Sequence, residues 1–333
     1  SAASDVYKRQ GMEEILDVSP EHLVGAHGPP LSGVAAIQGV VEDARDAIQF
    51  LWDQTVRGIN KDLVVGELVE FVQLPERFER TYVTQQHYGL VEHHVRQIHA
   101  GLRGWFDGDE ATLFPLPTAE RAARLLEGFG GRDTVASQCR AALADDDLRW
   151  ALELGSWLVR ADDARDDDRR LLASVLRALA QRTTAANIRN WCLTRALELE
   201  GTIDLSRFRV HRFGRGQVLA GDPTAFIAGL RVMVDPARAA DVEGHLRWVV
   251  SDGPTCGLRM RSGVAIPTDG TDAELEIRLR HETLADLLGG RVTLADAEAE
   301  GRVELGGDTD AVRRLLGCFD VAAFQTTDDG SRP

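Results

Sequence analysis

Apolar residues recur at helical spacing along the first part of the chain and alternate at strand spacing along the last. Residues 11–24 suggest a short helix followed by a short apolar step, and Gly25-Ala26-His27-Gly28-Pro29-Pro30 then forbids regular structure. Ile37, Val41, Ala44, Ile48, Leu51 and Thr55 predict a long helix over 34–60. A second helix is expected over 64–73, ended by Leu74-Pro75-Glu76. A third is expected over 83–102, with Tyr88, Val91, Val95, Ile98 and Leu102 as its apolar stripe. Asp107-Gly108-Asp109 signals a turn and residues 113–117 an extended linker. Three or four more helices follow over 118–200, with Trp150, Leu154 and Leu158 set to face Leu171, Leu172 and Leu176 as a helical hairpin. After Gly201 the period becomes two. Leu275, Ile277 and Leu279 alternate with charged neighbours, which predicts an antiparallel sheet with one wet face. Helices near 223–234, 282–288, 294–300 and 309–319 would cover the other face, giving a separate α+β domain.

Charge narrows the possible partners. A formal net charge of -15 over 333 residues disfavours nucleic acid and anionic membranes. No stretch is apolar for long enough to predict a membrane span. Cys139, Cys192, Cys256 and Cys318 lie far apart, which argues against a disulfide framework, a zinc knuckle and a redox pair. Residues 1–10 (SAASDVYKRQ) read as a non-native scar and are set apart from the fold.

Few residues present themselves for chemistry. His27, on its Gly/Pro loop, can offer one ring nitrogen rigidly to a metal, but zinc needs three or four ligands. His87, His93, His94 and His99 surround the third helix, with His87 and His94 spaced to share a face; they either bind metal or flank the apolar stripe in solvent. Arg96 and Arg103 on the same helix can meet an anion or pair with acids. Asp162, Asp163, Asp166, Asp167 and Asp168 lack the glycine and terminal glutamate of a calcium loop and fit a solvated helix start. Gly214-Arg215-Gly216-Gln217 reads as a turn, and no phosphate-binding or nucleophile-elbow motif is present. In the last domain Phe226, Leu230, Met233, Trp248, Met260, Leu284, Leu287, Leu288 and Phe319 either line a lipid pocket or form an ordinary core.

Several short motifs in order resemble the alkyl sulfatase family. They are Asp53-Gln54-Thr55-Val56-Arg57, Leu74-Pro75-Glu76, Tyr88-Gly89, Gly104-Trp105-Phe106-Asp107-Gly108 and 113–117; then Asp147-Leu148-Arg149-Trp150-Ala151 and Ile188-Arg189-Asn190-Trp191; then Leu294-Ala295-Asp296-Ala297 and 301–308. The resemblance implies a multi-domain chain: a remnant of an αββα metallo-β-lactamase domain over 11–33, an all-α dimerisation domain of helical hairpins over 34–202, an α+β sterol-carrier-like domain over 203–325, and a disordered tail over 326–333. It implies a zinc-dependent hydrolysis of alkyl sulfate esters in a complete protein with two zinc ions, most of whose ligands would precede residue 11. It implies His27 as a metal ligand and Tyr88, His93 and Arg96 as substrate-side residues, with the zinc not retained by this part alone. His99 and Leu102 stand where the family commonly has tyrosine, so an ester other than sulfate stays open. A dimerising lipid-binding module without catalysis stays open beside both. The partners implied are a second copy of the chain and an alkyl sulfate or other lipid-like molecule. Family members are both exported and cytoplasmic, so the compartment stays open as well.

The helices of 34–202 have more apolar surface than a small domain needs, so the chain is expected to sediment as a homodimer at micromolar concentration; a monomer there would count against the pairing.

Overall fold

The computed structural model describes residues 2–209 and 213–325, apart from the side chains of residues 2–8, 207 and 209. The segment expected to be a disordered tail, 326–333, lies outside the described residues. Two compact units divide the chain, 1–204 and 205–333.

In the first unit, α1 (Ala2–Val18) runs unbroken through the point where residues 1–10 were set apart from the fold. Gly11 sits inside this helix, and an added Cβ there would meet nothing within 4 Å. α1 packs on the long α2 (Val34–Ile59). Between them β1 (His22–Leu23) and β2 (Leu31–Ser32) form a small antiparallel hairpin. The His22 ring bonds Ser32 Oγ at 3.0 Å and fixes its base. α2 buries Ile37, Val41, Ala47 and Thr55, whose hydroxyl donates to the Leu51 carbonyl at 2.6 Å. α3 (Val65–Phe71) packs on α2 at Gly58, where Leu68 Cδ1 fills the space a Cβ would take.

The third helix starts later than the apolar stripe suggests. After α4 (Glu76–Arg80) comes one 3-10 turn, Tyr82–Thr84; α5 (Val91–Arg103) starts only beyond Leu90, and the segment between is irregular. Tyr88 therefore leaves the stripe and is 55% exposed. The sequence pattern missed this break because Val83 and Tyr88 happen to keep helical spacing with Val91. Val95 and Ile98 remain the buried face of α5. Beyond α5, the Gly104–Gly108 motif builds a turn. Val65 N donates to the Asp107 carbonyl, and the Asp107 carboxylate accepts from Thr112 Oγ1 at 2.7 Å and Asp109 N at 3.1 Å. Gly108 adopts φ 90°, and Val64 packs where its Cβ would be.

Five helices, rather than three or four, complete the unit: α6 (Thr118–Gly128), α7 (Arg132–Ala144), α8 (Leu148–Arg160), α9 (Asp166–Arg182) and α10 (Ala186–Leu199). Neighbours in sequence pack as hairpins. Leu154, Leu158, Leu171 and Val175 share one core with Cys139, while Leu172 and Leu176 turn towards Ala196 and Leu199 of α10.

The second unit opens with α11 (Ser206–Arg209) and α12 (Arg215–Ala220); the Gly214 segment read as a turn is the start of α12. α13 (Pro223–Gly229) begins with Asp222 capping Thr224 N and proline at the first turn. Five strands follow: β3 (Gly244–Val250), β4 (Thr255–Arg261), β5 (Val264–Thr268), β6 (Leu275–Leu279) and β7 (Val303–Gly306). Their order is β5-β4-β3-β6-β7. The sheet is mixed rather than antiparallel, because β3 and β6 pair in parallel, Leu246 opposite Leu275 and Trp248 opposite Ile277. A period of two records which face a residue takes, not which strand lies beside it. The short crossover from β5 to β6 passes close to the sheet. Gly257 permits this, since a Cβ there would lie 2.7 Å from Gly270 Cα, and Arg247 Nε donates to the Gly270 carbonyl at 2.9 Å. Beside it His245, 4% exposed, bonds Thr268 Oγ1 at 2.7 Å, so the face expected to be wet is partly closed. α14 (His281–Leu288), α15 (Leu294–Ala299) and α16 (Thr309–Gly317) complete the unit, capped by Thr293 on α15 and Asp308 on α16. Leu230, Met233, Trp248, Met260, Leu284, Leu287, Leu288 and Phe319 pack as its core, with Phe226 half-buried against them.

The acidic run at the start of α9 is not all solvated. Asp168 is 4% exposed; it accepts from the buried Arg132 guanidinium and, at 2.9 Å, from Arg165 N. Arg132 also donates to Asp163 and, at 3.0 Å, to the Leu158 carbonyl, so one cation joins α7, α8 and α9. Arg132→Met would strand the Asp168 carboxylate and is expected to cost about 3 kcal/mol or more, read as a fall in the urea midpoint.

Candidate functional site

The Gly/Pro loop of the β1–β2 hairpin carries His27 to the edge of a cleft of about 660 Å³ within the first unit. One wall is the α2 face with Ala44, Ile48 and Leu51; the opposite wall is the irregular segment between the 3-10 turn and α5. The His27 and Tyr88 rings face each other across it, centroids 6.0 Å apart. Tyr82 packs against His87 with the rings tilted by 48° and their centroids 4.8 Å apart, and the His87 ring bonds the Tyr82 carbonyl at 3.0 Å. His94 reaches the cleft from the first turn of α5, passing over Gly89, where a Cβ would lie 2.9 Å from its Nε2.

The wall segment is tied down from outside. Ala186 N donates to the His87 carbonyl at 2.6 Å, and Thr184 Oγ1 to the Gln86 carbonyl at 3.0 Å. Gln86 Oε1 in turn accepts from Val91 N at 2.7 Å and caps the start of α5. The turn between α9 and α10 thus positions Tyr88, far from it in sequence.

The candidate residues divide between two cavities. His27 and Tyr88 share the first. His93 and Arg96 line a second, of about 640 Å³, enclosed by α3, α5, α8, α9 and α10. His87 and His94 do meet in the first cleft, although His87 precedes the helix and the meeting owes nothing to a shared helix face. His99 belongs to neither. It is 8% exposed on the buried side of α5, and burial, reinforced by the Arg103 charge, lowers its pKa below the ordinary 6.5. Gln86 and Tyr82, which sequence reasoning did not single out, line the first cleft from positions without periodic signal.

Among the described residues, no three His, Cys, Asp or Glu side chains come together in a way that could hold a metal ion. His27 is a single exposed imidazole, so the donors present here do not fit a zinc site by themselves. Burial pushes the Cys139 and Cys256 thiols up to about 11, which keeps them protonated. The lining of the first cleft presents imidazole and phenol groups over an apolar wall. No helix among the described residues is long and apolar enough to cross a membrane.

Residues 64–202 match the family model for alkyl sulfatase dimerisation, and residues 215–325 that for the alkyl sulfatase C-terminal region. A linear primary-alkylsulfatase of a Pseudomonas species is 35% identical over 320 residues, 93% of this chain and 61% of that protein. An (R)-specific secondary-alkylsulfatase of a Pseudomonas species is 30% identical, over 90% of this chain and 45% of that protein. The solved structure of the stereoselective inverting sec-alkylsulfatase Pisa1 from a Pseudomonas species superposes with a TM-score of 0.83 and 29% identity, over 96% of this chain and 50% of that one. The chain thus spans between about half and three fifths of the length of these relatives.

His99 gives this half of the molecule a pH signature. Its folded pKa is depressed, so as the pH falls below about 6.5 the unfolded chain takes up a proton that the buried ring refuses, and stability declines. His99→Leu should flatten that decline in urea unfolding measured at several pH values.

Proposed function

The chain carries the dimerisation and C-terminal domains of the alkyl sulfatase family, and we propose that it serves as the part of an alkyl-sulfatase-like hydrolase that supplies pairing and alkyl-chain binding. The observation that carries this reading is the succession of the two family domains along one chain, in the order the sequence motifs predict. In the whole protein, residues 11–33 would be the end of a metallo-β-lactamase-type domain and the second unit a sterol-carrier-like domain. Two zinc ions would be the cofactor, and hydrolysis of an alkyl sulfate ester the reaction.

The first cleft supports a part for these residues in such an enzyme. His27 would contribute one imidazole ligand, held by the hairpin, with the other donors coming from beyond these residues. The donors here do not hold an ion alone, so no chemical step is assigned to the metal. Tyr88 would contact the substrate beside His27, across the 6.0 Å separating their rings. The apolar face of Ala44, Ile48 and Leu51 suits an alkyl chain lying along α2. His93 and Arg96, on the second cavity, would act on the substrate side from there. Pairing would use the helical unit.

A reading without catalysis, as a dimerising lipid-binding module, draws on the absence of a metal cluster among the described residues. One experiment separates the two. The purified chain with added zinc is expected to give negligible alkyl sulfate hydrolysis, and robust turnover would overturn the division of labour proposed here. The protein expressed from its native locus with its complete reading frame is expected to bind zinc and hydrolyse alkyl sulfates, and His27→Ala to lower both, the activity by about tenfold or more. A complete frame that binds no zinc would favour the module.

A further inference from the structure

The stretch Asp320–Gln325 of the second unit is built as a strap. Its inner side chains, Val321, Ala323 and Phe324, are buried, while Asp320, Ala322 and Gln325 are exposed. A single 3-10 turn, Ala322–Phe324, gives it its shape. Its backbone bonds are short-range. Val321 N donates to the Phe319 carbonyl, Phe324 N to that of Val321 and Gln325 N to that of Ala322. Among the described residues, no backbone group of 321–325 bonds to a strand or to another helix. Apolar contact holds the middle of the strap, with the Phe324 ring 6.3 Å from that of Trp248 on β3.

Polar bonds hold only the ends. Asp320 N donates to the Met233 carbonyl at 2.7 Å, beside the bridge between Val234 and Phe319. At the far end Gln325 Nε2 donates to the Phe319 carbonyl at 2.7 Å, and Gln325 Oε1 accepts from Arg238 Nη1 at 2.6 Å. The same guanidinium donates to the Gly317 carbonyl at 3.1 Å, to Asp235 at 2.8 Å and to the Asp320 carboxylate. Arg238 thus ties the strap to the body of the unit. Its bonds to Asp320 and Gln325 lie at an exposed rim, where such contacts are individually weak.

The group beside the strap is an unpaired donor. Trp248 is wholly buried, and its indole Nε1–H has no acceptor among the described residues. A sealed N–H without an acceptor raises the free energy of the closed form, and water relieves it as soon as water can enter. Closing the strap buries Phe324 but seals that donor, so the two effects oppose each other. The gap between closed and open is therefore narrower here than for the core around it.

We propose that residues 321–325 open as one piece on an otherwise folded second unit, with Gln325 and Arg238 as the latch. The Trp248 indole is the group that gains a partner when the strap lifts. Cys256 and Ile277 flank Trp248 in register on β4 and β6, so the open form offers one N–H donor on an apolar floor to water or a small uncharged acceptor. The proposal does not depend on what the first cleft binds.

Hydrogen exchange tests it. The purified chain, labelled with nitrogen-15 at its six tryptophans, is transferred to heavy water and its N–H signals are followed by NMR. The signals lost in Trp248→Phe assign the indole and backbone N–H of Trp248. With intrinsic rates divided out, the indole is expected to be protected at least about tenfold less than the backbone amide of the same residue, because it exchanges through local opening. Gln325→Ala, at the exposed end of the strap, is expected to lower indole protection by about a further tenfold, the worth of the bonds it removes. The backbone amide of Trp248 should keep its protection in that variant, which shows that the unit stays folded. Equal protection of indole and backbone would overturn the proposal, since both would then await global unfolding. A Gln325→Ala variant whose indole exchanges as in the parent, or whose indole and backbone signals accelerate together, would overturn it as well.

Discussion

The arrangement of the helical unit around its cavities hangs on two hydrogen bonds that fasten the segment between Gln85 and Leu90 to the turn before α10. Ala186 N and Thr184 Oγ1 take the carbonyls of His87 and Gln86, and those carbonyls have no helical partner because α5 has not yet begun. Paired across nearly a hundred residues, these carbonyls fix a wall only one chain thick. One side of that wall presents Tyr88 to His27, and the other closes the second cavity. Gly89 completes the arrangement, because a Cβ there would lie 2.9 Å from His94 Nε2 and the ring would have to shift.

Elsewhere the unit is held by helix pairing, by exposed ion pairs between helices and by a buried charge pair. Arg132 and Asp168 are both buried, and their mutual pairing, with the Leu158 carbonyl and Arg165 N as further partners, keeps either from standing as a lone charge inside the α7–α9 core. The polar groups of the second unit follow the same logic. His245 and Arg247 face a crossover that Gly257 and Gly270 allow to lie close to the sheet, so their bonds go to that crossover instead of to water. In both units glycine sets how near two segments come, and the polar side chains at those contacts are satisfied by the segment that approaches.

The resemblance drawn from short motifs led correctly to the alkyl sulfatase domains, yet some of those motifs proved to be structural. Gly104–Gly108 is a turn whose carboxylate is engaged by Thr112 and by backbone, with the Thr112 bond first in holding Asp107 below its ordinary pKa. The buried apolar set of the second unit likewise packs as a core.

Periodicity by itself determined most of the helices, the α+β character of the second unit and the buried faces, because burial of one side imposes a period that any reader of the chain can count. His27 stood out by its Gly/Pro loop, and Tyr88, His93 and Arg96 entered as substrate-side residues only through the resemblance to the alkyl sulfatase family. Only the tertiary structure decided that Tyr88 lies off the helix, that β3 and β6 run parallel, that Asp168 is buried, and that the four candidate residues divide between two cavities. Those outcomes depend on partners distant in sequence, Thr184 for the wall and Arg132 for the acid, and a local pattern of apolar and polar residues holds no record of which distant group will supply the missing bond or charge.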